Sequence, residues 1–166
     1  IQIAKANNVF DITGSATVEE GAEKVDDVIV GGLIGYTDTD TKVEISTSYN
    51  LGTIKAITRQ GIVTGIAGGL VGYAENATID NLTISSCIIY GQERIGTVAG
   101  FARDTVISNC SNGDEAAISI ENTSTFVGGR HDVGGLVGYF QSTAGVLNLN
   151  NNTNRAYVNY AANAGV

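Results

Sequence analysis

Hydrophobic and polar positions alternate in short bursts along this chain. Ile1-Gln2-Ile3, Val9-Phe10-Asp11-Ile12, Val43-Glu44-Ile45 and Ile79-Asp80-Asn81-Leu82 change side every residue or two, the period of a half-buried strand. Val106-Ile107-Ser108-Asn109 and Val146-Leu147-Asn148-Leu149 belong to the same set. Between these bursts lie denser glycine-aliphatic segments, and they recur. Gly31-Gly32-Leu33-Ile34-Gly35-Tyr36 returns as Gly68-Gly69-Leu70-Val71-Gly72-Tyr73 and Gly134-Gly135-Leu136-Val137-Gly138-Tyr139, with a weaker copy at Gly96-Thr97-Val98-Ala99-Gly100-Phe101. Aligned on their last glycines, at 35, 72, 100 and 138, the copies stand 37, 28 and 38 residues apart. Self-similarity at about 20–50 residues marks a solenoid, propeller or array.

Each copy reads as a short buried strand entered and left with little side-chain bulk. Glycine there serves close backbone approach and positive φ at a tight corner, and the aromatic that follows covers the rim of the aliphatic pair. An aliphatic burst comes within about eight residues, then an Asn/Gly corner into a further strand, cleanest at Asn50-Leu51-Gly52-Thr53-Ile54. One repeat is thus strand, turn, strand, corner, strand, return. The predicted fold is all-β, a parallel β-helix (β-solenoid) of about four to six coils, with Ile34, Val71, Val98 and Val137 stacked in its axial core. Asn81, Asn109 and Asn148 are expected to stack at equivalent corners, where buried backbone groups need partners.

Residues 1–30 stand outside the clear repeats as N-terminal strands and a cap, and residues 31–166 form one continuous solenoid domain. Thr17 with Glu20 makes a capping-box pair, and Val18, Ala22, Val25 and Val28 fall near helical spacing. This predicts a short helix from Thr17 to Val28 over the first coil, which Gly21 weakens. The longer repeats carry their extra residues late, so Lys55–Gly61 and Ser119–Asp132 are where a ligand would be sought. The chain opens at Ile1 and stops mid-repeat at Val166. It reads as a mature product or a piece of something larger, with an open strand edge that a like chain could extend.

The repeat resembles the GLUG family, named for its Gly-Leu-aliphatic-Gly core. Leu33-Ile34-Gly35, Leu70-Val71-Gly72 and Leu136-Val137-Gly138 carry the match, with Asn50-Leu51-Gly52-Thr53-Ile54 as the typical neighbour, over about residues 31–166. The copy at 96–101 lacks the Gly-Leu pair. The resemblance implies a right-handed parallel β-helix stalk of a secreted or surface-attached protein, as in filamentous adhesins and large metallopeptidases, and no catalysis by the repeats themselves.

Composition narrows the partners. A formal net charge of −8 opposes binding to nucleic acid by counterion release; the acidity keeps a glycine-rich, strand-rich surface soluble. No run of about 18 apolar residues is present, so the sequence holds no membrane-spanning helix. Glycine supplies 22 of 166 residues and proline none, which suits short strands and tight turns. Cys87 and Cys110 sit in neighbouring repeats at unequal offsets, so a disulfide and two buried thiols are both open.

The sequence nominates no catalytic, cofactor-binding or metal-ligating residue. His131 is the single histidine, so a zincin pair is absent, and no nucleophile elbow accompanies Arg130-His131-Asp132. No Gly-Lys-Ser/Thr follows any glycine segment, against a phosphate loop. Asp38-Thr39-Asp40 and Asn112-Gly113-Asp114-Glu115 match no calcium loop and read as solvated turns. The acids Glu44, Glu75, Asp80, Glu93, Asp104 and Glu121 are scattered, so no glycosidase pair stands out. Glycosylation acceptors occur at Asn76, Asn81, Asn109, Asn122 and Asn151, with Asn122 and Asn151 the better placed in polar loops. The expected function is a non-enzymatic extracellular structural module, an adhesin stalk or a subunit stacking head to tail into a filament. Its partners are its own kind, neighbouring repeats or a host protein or glycan. The alternative is a carbohydrate-binding or accessory region of a secreted hydrolase, which would show Tyr49, Tyr90, Phe126, Phe140, Tyr157 and Tyr160 exposed on one face.

Overall fold

The computed structural model describes residues 1–17, 27–59, 65–84, 87–113, 126–129, 132–145 and 148–160. Every described strand is short, because a strand that must leave its row after a few residues can keep only a few alternating positions. In the first turn of the chain β1 (Gln2–Ala4), β2 (Asn7–Asn8), β3 (Ile12–Thr17), β4 (Val28–Gly31) and β5 (Ile34–Tyr36) follow one another. The second turn repeats them as β6 (Val43–Ser46), β7 (Tyr49–Asn50), β8 (Ile54–Arg59), β9 (Gly65–Gly68) and β10 (Val71–Glu75). The third runs β11 (Ala77–Asp80), β12 (Thr83–Ile84), β13 (Ile88–Tyr90), β14 (Ile95–Gly96) and β15 (Ala99–Arg103). The fourth has β16 (Val106–Ser108), β17 (Ser111–Asn112), β18 (Phe126–Gly129) and β19 (Val137–Gln141), with Val133 bridging to Ile95 where a strand stood in the turns before. β20 (Leu149–Asn150), β21 (Thr153–Asn154) and β22 (Tyr157–Tyr160) begin a fifth.

Each strand pairs in parallel with its equivalent one turn on. The five sheets are β1-β6-β11-β16-β20 (sheet 1), β2-β7-β12-β17-β21 (sheet 2), β3-β8-β13-β18-β22 (sheet 3), β4-β9-β14 (sheet 4) and β5-β10-β15-β19 (sheet 5). The protein is all-β, built of parallel sheets in an arrangement consistent with a β-solenoid. A turn carries up to five short strands rather than the three read from the sequence. Register shows its length: Ile3 pairs with Ile45, Ile45 with Ile79, Ile79 with Ile107 and Ile107 with Leu149. The turns thus differ in length while their strands stay aligned, and the surplus falls between strands, at 18–27, 60–64 and 114–125, mostly outside the described residues.

The core is a set of aliphatic columns. Ile45, Ile79 and Ile107 form one and Ile54 with Ile89 another, all at most 1% exposed. Full burial of such a side chain contributes about 1.5–3 kcal/mol. The predicted axial column needs one correction. Val71 pairs with Ile34 and with Ala99, and Ala99 with Val137. Val98 instead stands one residue earlier, its carbonyl accepting from Leu70 N–H and its N–H donating to the Leu136 carbonyl. The cause is the third motif copy, where Gly96 aligns with Gly68 and Ala99 therefore fills the valine place.

No helix occurs among the described residues. Thr17 ends β3 and Val28 begins β4, so the ends of the predicted capping helix are extended; its middle, residues 18–26, lies outside the described residues. Residues 2–17 supply the first strands of sheets 1, 2 and 3.

Corners and glycines exchange the roles expected of them. Positive φ falls on Lys5, Thr47, Asn76, Asn81, Asp104, Asn109, Asp132 and Asn151, and among described glycines only on Gly113 and Gly145. Lys5, Thr47, Asn81, Asn109 and Asn151 each follow the last paired residue of a sheet 1 strand, so they form one corner column. Asparagine suits it because its short polar side chain tolerates the left-handed region. Asn148, expected in this column, sits one residue before the Leu149 that pairs with Ile107, directly ahead of β20, and so stands outside the corner. Most motif glycines serve close approach; Gly35 is the exception, where a Cβ would meet nothing nearer than the Ile29 oxygen at 3.7 Å. A Cβ on Gly72 would lie 2.6 Å from Ile29 Cγ2, 2.7 Å from the Gly35 oxygen and 2.9 Å from the Val30 oxygen, and one on Gly68 would run into the Val71 carbonyl.

Candidate functional site

The outer side of sheet 5 carries the most organised side-chain array. Tyr36, Tyr73, Phe101 and Tyr139 occupy one column, with successive ring centroids 4.9, 4.4 and 5.3 Å apart. The last two pairs are stacked, so the ring faces are spent on one another and solvent meets mainly edges. Arg94 lies over Phe101 and Tyr139, at 4.9 and 5.2 Å, and Arg103 over Phe101 at 5.6 Å. Both guanidiniums are also paired: Arg103 with Glu75 at 3.3 Å and Arg94 with Asp132 at 3.9 Å. Arg103 Nε donates to Gln141 Oε1 at 3.1 Å. Burial pushes the Tyr73 phenol above its ordinary value, with Glu75 adding to the effect. This array braces four turns side by side. Its signal in the sequence is the aromatic directly after the last glycine of every motif copy.

A second array holds the corner from sheet 2 to sheet 3. Asn50 and Asn112 are at most 1% exposed, and each spends its amide on backbone. Asn50 Nδ2 donates to the Gly52 carbonyl at 2.9 Å, and its Oδ1 accepts from Asn8 Nδ2 at 2.8 Å. Asn112 Oδ1 accepts from Arg155 N–H at 2.7 Å and Ala156 N–H at 3.2 Å, while its Nδ2 donates to Thr97 Oγ1 and to the Gly135 carbonyl. These buried amides, rather than the exposed Asn81, Asn109 and Asn151, do the backbone pairing expected of an asparagine ladder.

Among the described residues, exposed large hydrophobic side chains occur in every turn, with Tyr49, Leu51 and Tyr90 in the middle of the stack. Ile1, Val9, Phe10 and Tyr36 are exposed at one end and Tyr139, Leu149 and Val158 at the other. Leu149 belongs to the column of Ile107 and Ile79, which are 0% exposed mid-stack, yet Leu149 is 36% exposed. Tyr36 reaches 51% where Phe101 in the same column has 2%. A groove of about 320 Å³ opens at the first end between Ile3, Ile34, Tyr36 and Val43. A polar groove of about 480 Å³ follows the corner after sheet 5, lined by Thr39, Asn76, Asp104, Ser142, Thr143 and Asn148.

The residues singled out in the sequence meet different fates. Asp38 Oδ1 accepts from the N–H of Asp40 and Thr41 at 3.1 and 3.2 Å, so the Asp38-Thr39-Asp40 segment is a self-bonded turn. Asp114, Glu115, Glu121, Asn122, Arg130 and His131 lie outside the described residues, as do most of Ser119–Asp132 and the end of Lys55–Gly61. Among the described residues no group of three or more His, Cys, Asp and Glu side chains is placed to hold a metal. Register sets Glu44 between Gln2 and Thr78, Asp80 between Ser46 and Ser108, and Glu75 beside Arg103, so none of these acids faces another. Asp80 accepts from Ser108 Oγ at 2.7 Å and Asn109 Nδ2 at 2.8 Å, which holds its carboxyl below the ordinary aspartate value. Cys87 and Cys110 are free, each 1% exposed, and burial pushes their thiols up to about 12 and about 11. Tyr49, Tyr90 and Phe140 stand on sheets 2, 3 and 5, so the structure does not gather them into a platform.

Asn81, Asn109 and Asn151, three of the five glycosylation acceptors, share the one corner column. The residue two further on (Thr83, Ser111, Thr153) is the first of a sheet 2 strand. An asparagine for positive φ followed by a hydroxyl residue opening the next strand writes the acceptor pattern as a by-product of the corner, which accounts for its frequency. No protein-family model matches the chain, and no characterised protein or solved structure matches it either.

Proposed function

We propose that this chain is a non-enzymatic structural module of a secreted or surface-attached protein, lengthened along its axis as an adhesin stalk or as a filament of like subunits. One observation carries the reading: the same residue types stack in continuous columns from turn to turn, Ile3, Ile45, Ile79, Ile107 and Leu149 in sheet 1, so the interior is spent on repetition along the axis. A column of Ile45, Ile79 and Ile107 gains by adding another aliphatic rung, and parallel strand edges offer backbone pairs to whatever brings it. The arrangement reads as a right-handed β-helix, since parallel crossovers in one sheet take that hand almost without exception. The GLUG-like motif, the acidic surface and the interior spent on aliphatic and amide ladders agree with a scaffold. Extracellular placement rests on the resemblance.

Labelling intact source cells with antibody against this chain tests the reading. Gold particles on the outer surface or on shed fibres are expected; label confined to the cytosol would overturn it.

A further inference from the structure

The corner between sheets 5 and 1 changes length from turn to turn, and we infer that the groove this leaves is a binding site for a neutral carbohydrate. Asn76 alone joins β10 to β11, and Asp104 with Thr105 joins β15 to β16. In the turns on either side the same corner is long, at 37–42 between β5 and β6 and at 142–148 between β19 and β20. Two tight corners therefore form a floor between two loops. Thr39 stands on one wall, Ser142, Thr143 and Ala144 on the other, and Asn76 and Asp104 between them. The walls belong to strands three rungs apart, about 14 Å at ordinary strand spacing. The space is about 480 Å³, within the range of about 300–1,000 Å³ typical of ligand clefts.

Each floor residue holds a wall. Asn76 Nδ2 donates to the Thr39 carbonyl at 3.1 Å. Asp104 accepts twice from Thr143, the N–H reaching Oδ1 at 2.7 Å and the hydroxyl reaching Oδ2 at 2.9 Å. Asp38 closes the first loop on itself, and Gly145 N–H donates to the Ser142 carbonyl at 3.4 Å in the other. The cleft is thus shaped before a ligand arrives, which lowers the ordering cost of binding.

The lining selects the chemical class. No described lining residue is cationic, and Asp104 is a carboxylate in a chain of net charge −8, so anions are disfavoured. None is aromatic or a large aliphatic, so an apolar ligand gains little. One carboxylate among the described lining residues is too few for a hard cation. An added peptide strand needs open backbone groups, whereas the Asn76 and Asp104 N–H groups are spent on the Arg103 and Gln141 carbonyls, at 3.1 and 3.0 Å. Hydroxyls and amides are what the groove offers. A sugar hydroxyl donates and accepts at once, and the floor meets both needs: each Asp104 oxygen keeps a further acceptor site, and Asn76 keeps an amide N–H beyond the one given to Thr39. Asn148 adds to this. Its side-chain amide lines the groove and bonds to none of the described residues, presenting a donor and an acceptor side by side to neighbouring ring hydroxyls.

Nuclear magnetic resonance of the isotope-labelled chain, titrated separately with maltotriose, cellotriose, mannotriose and triacetylchitotriose, tests the assignment. At least one is expected to bind, with amide shifts concentrated at Thr39, Asn76, Asp104 and residues 142–145. Asn148→Ala removes an amide that no described residue uses and should weaken that binding at least about tenfold. Ala144→Arg, on the exposed wall, should abolish it by filling the cleft, and far-UV circular dichroism confirms that both variants are folded. Tyr90→Ala, at an exposed aromatic on sheet 3, should leave it unchanged. No shift with any of these sugars, shifts centred outside the groove, undiminished binding by Asn148→Ala, tighter binding of trigalacturonate than of the neutral sugars, or the same shifts on adding calcium chloride alone would each overturn the assignment. Surface labelling of cells is independent of these outcomes: label without sugar binding leaves a stalk and removes the site, and sugar binding without surface label keeps the site and removes the extracellular reading.

Discussion

Replacing the third glycine of the motif by alanine in two different turns separates close approach from backbone conformation as the reason for glycine. Neither Gly35 nor Gly72 has positive φ, so a conformational argument predicts equal effects. The surroundings differ. At Gly72 a Cβ would meet Ile29 Cγ2 at 2.6 Å and the backbone oxygens of Gly35 and Val30 at 2.7 and 2.9 Å; at Gly35 the nearest atom is the Ile29 oxygen, at 3.7 Å. The first is a clash with two backbone groups, which cannot swing aside as a side chain can. Overpacking costs about 1–3 kcal/mol, and a backbone clash belongs at the upper end, about 3 kcal/mol. For a chain of this size that is about 6–12 °C in melting temperature. Gly35→Ala meets ordinary van der Waals contact and restricts the unfolded chain, which stabilises by about 0.4–1 kcal/mol. Thermal melts followed by far-UV circular dichroism, repeated in urea, read both. Equal midpoints for the two variants would refute the close-approach account.

Thr47 holds positive φ, 49°, in the column that carries asparagine in the three later turns; Thr47→Asn or Thr47→Gly should raise the stability read by urea unfolding by about 1 kcal/mol, and Asn109→Ala should lower it by a similar amount. Asn112→Ala removes the side-chain acceptor of the buried Ala156 N–H, while Arg155 N–H keeps the Asn112 backbone carbonyl and the Gly135 carbonyl keeps the Thr97 hydroxyl, so it should cost about 1–3 kcal/mol in the same assay. The Asp80 carboxyl is held below 3.8 in the folded chain. Its stabilisation is therefore complete above that value and disappears as pH falls through the lower folded value; Asp80→Asn should lower stability near neutrality, where the carboxylate contributes in full, and leave it unchanged below the folded value, so the acid limb of the stability curve flattens. Cys87 and Cys110, buried with raised thiol pKa values, should resist a disulfide-exchange reagent in the native state and react fully once unfolded.

The motif spacing alone was enough to set the repeat and its strands. Intervals of 37, 28 and 38 residues between glycines reappear as register steps in sheet 5, where Ile34, Val71, Ala99 and Val137 align. That works because a buried, closely approached segment tolerates so few residue types that its sequence must repeat with its geometry. Other features were illegible for the opposite reason. Positive φ at Lys5, Thr47 and Asp104 is imposed by the need to turn between sheets, which overrides local preference and leaves no common residue type. Val98 and Ala99 could exchange columns on paper, since both are small and apolar, and only hydrogen bonding to Leu70 and Leu136 separates them. Tyr36 and Phe101 occupy the same motif position, yet one is half exposed and the other buried. Burial there is decided by what the neighbouring turn stacks upon, a property of the assembled columns that no single segment encodes. The sequence by itself determined the strands, their repetition and the residue types of the columns; the tertiary structure decided which columns close, which amides turn inward, and where the core is left open.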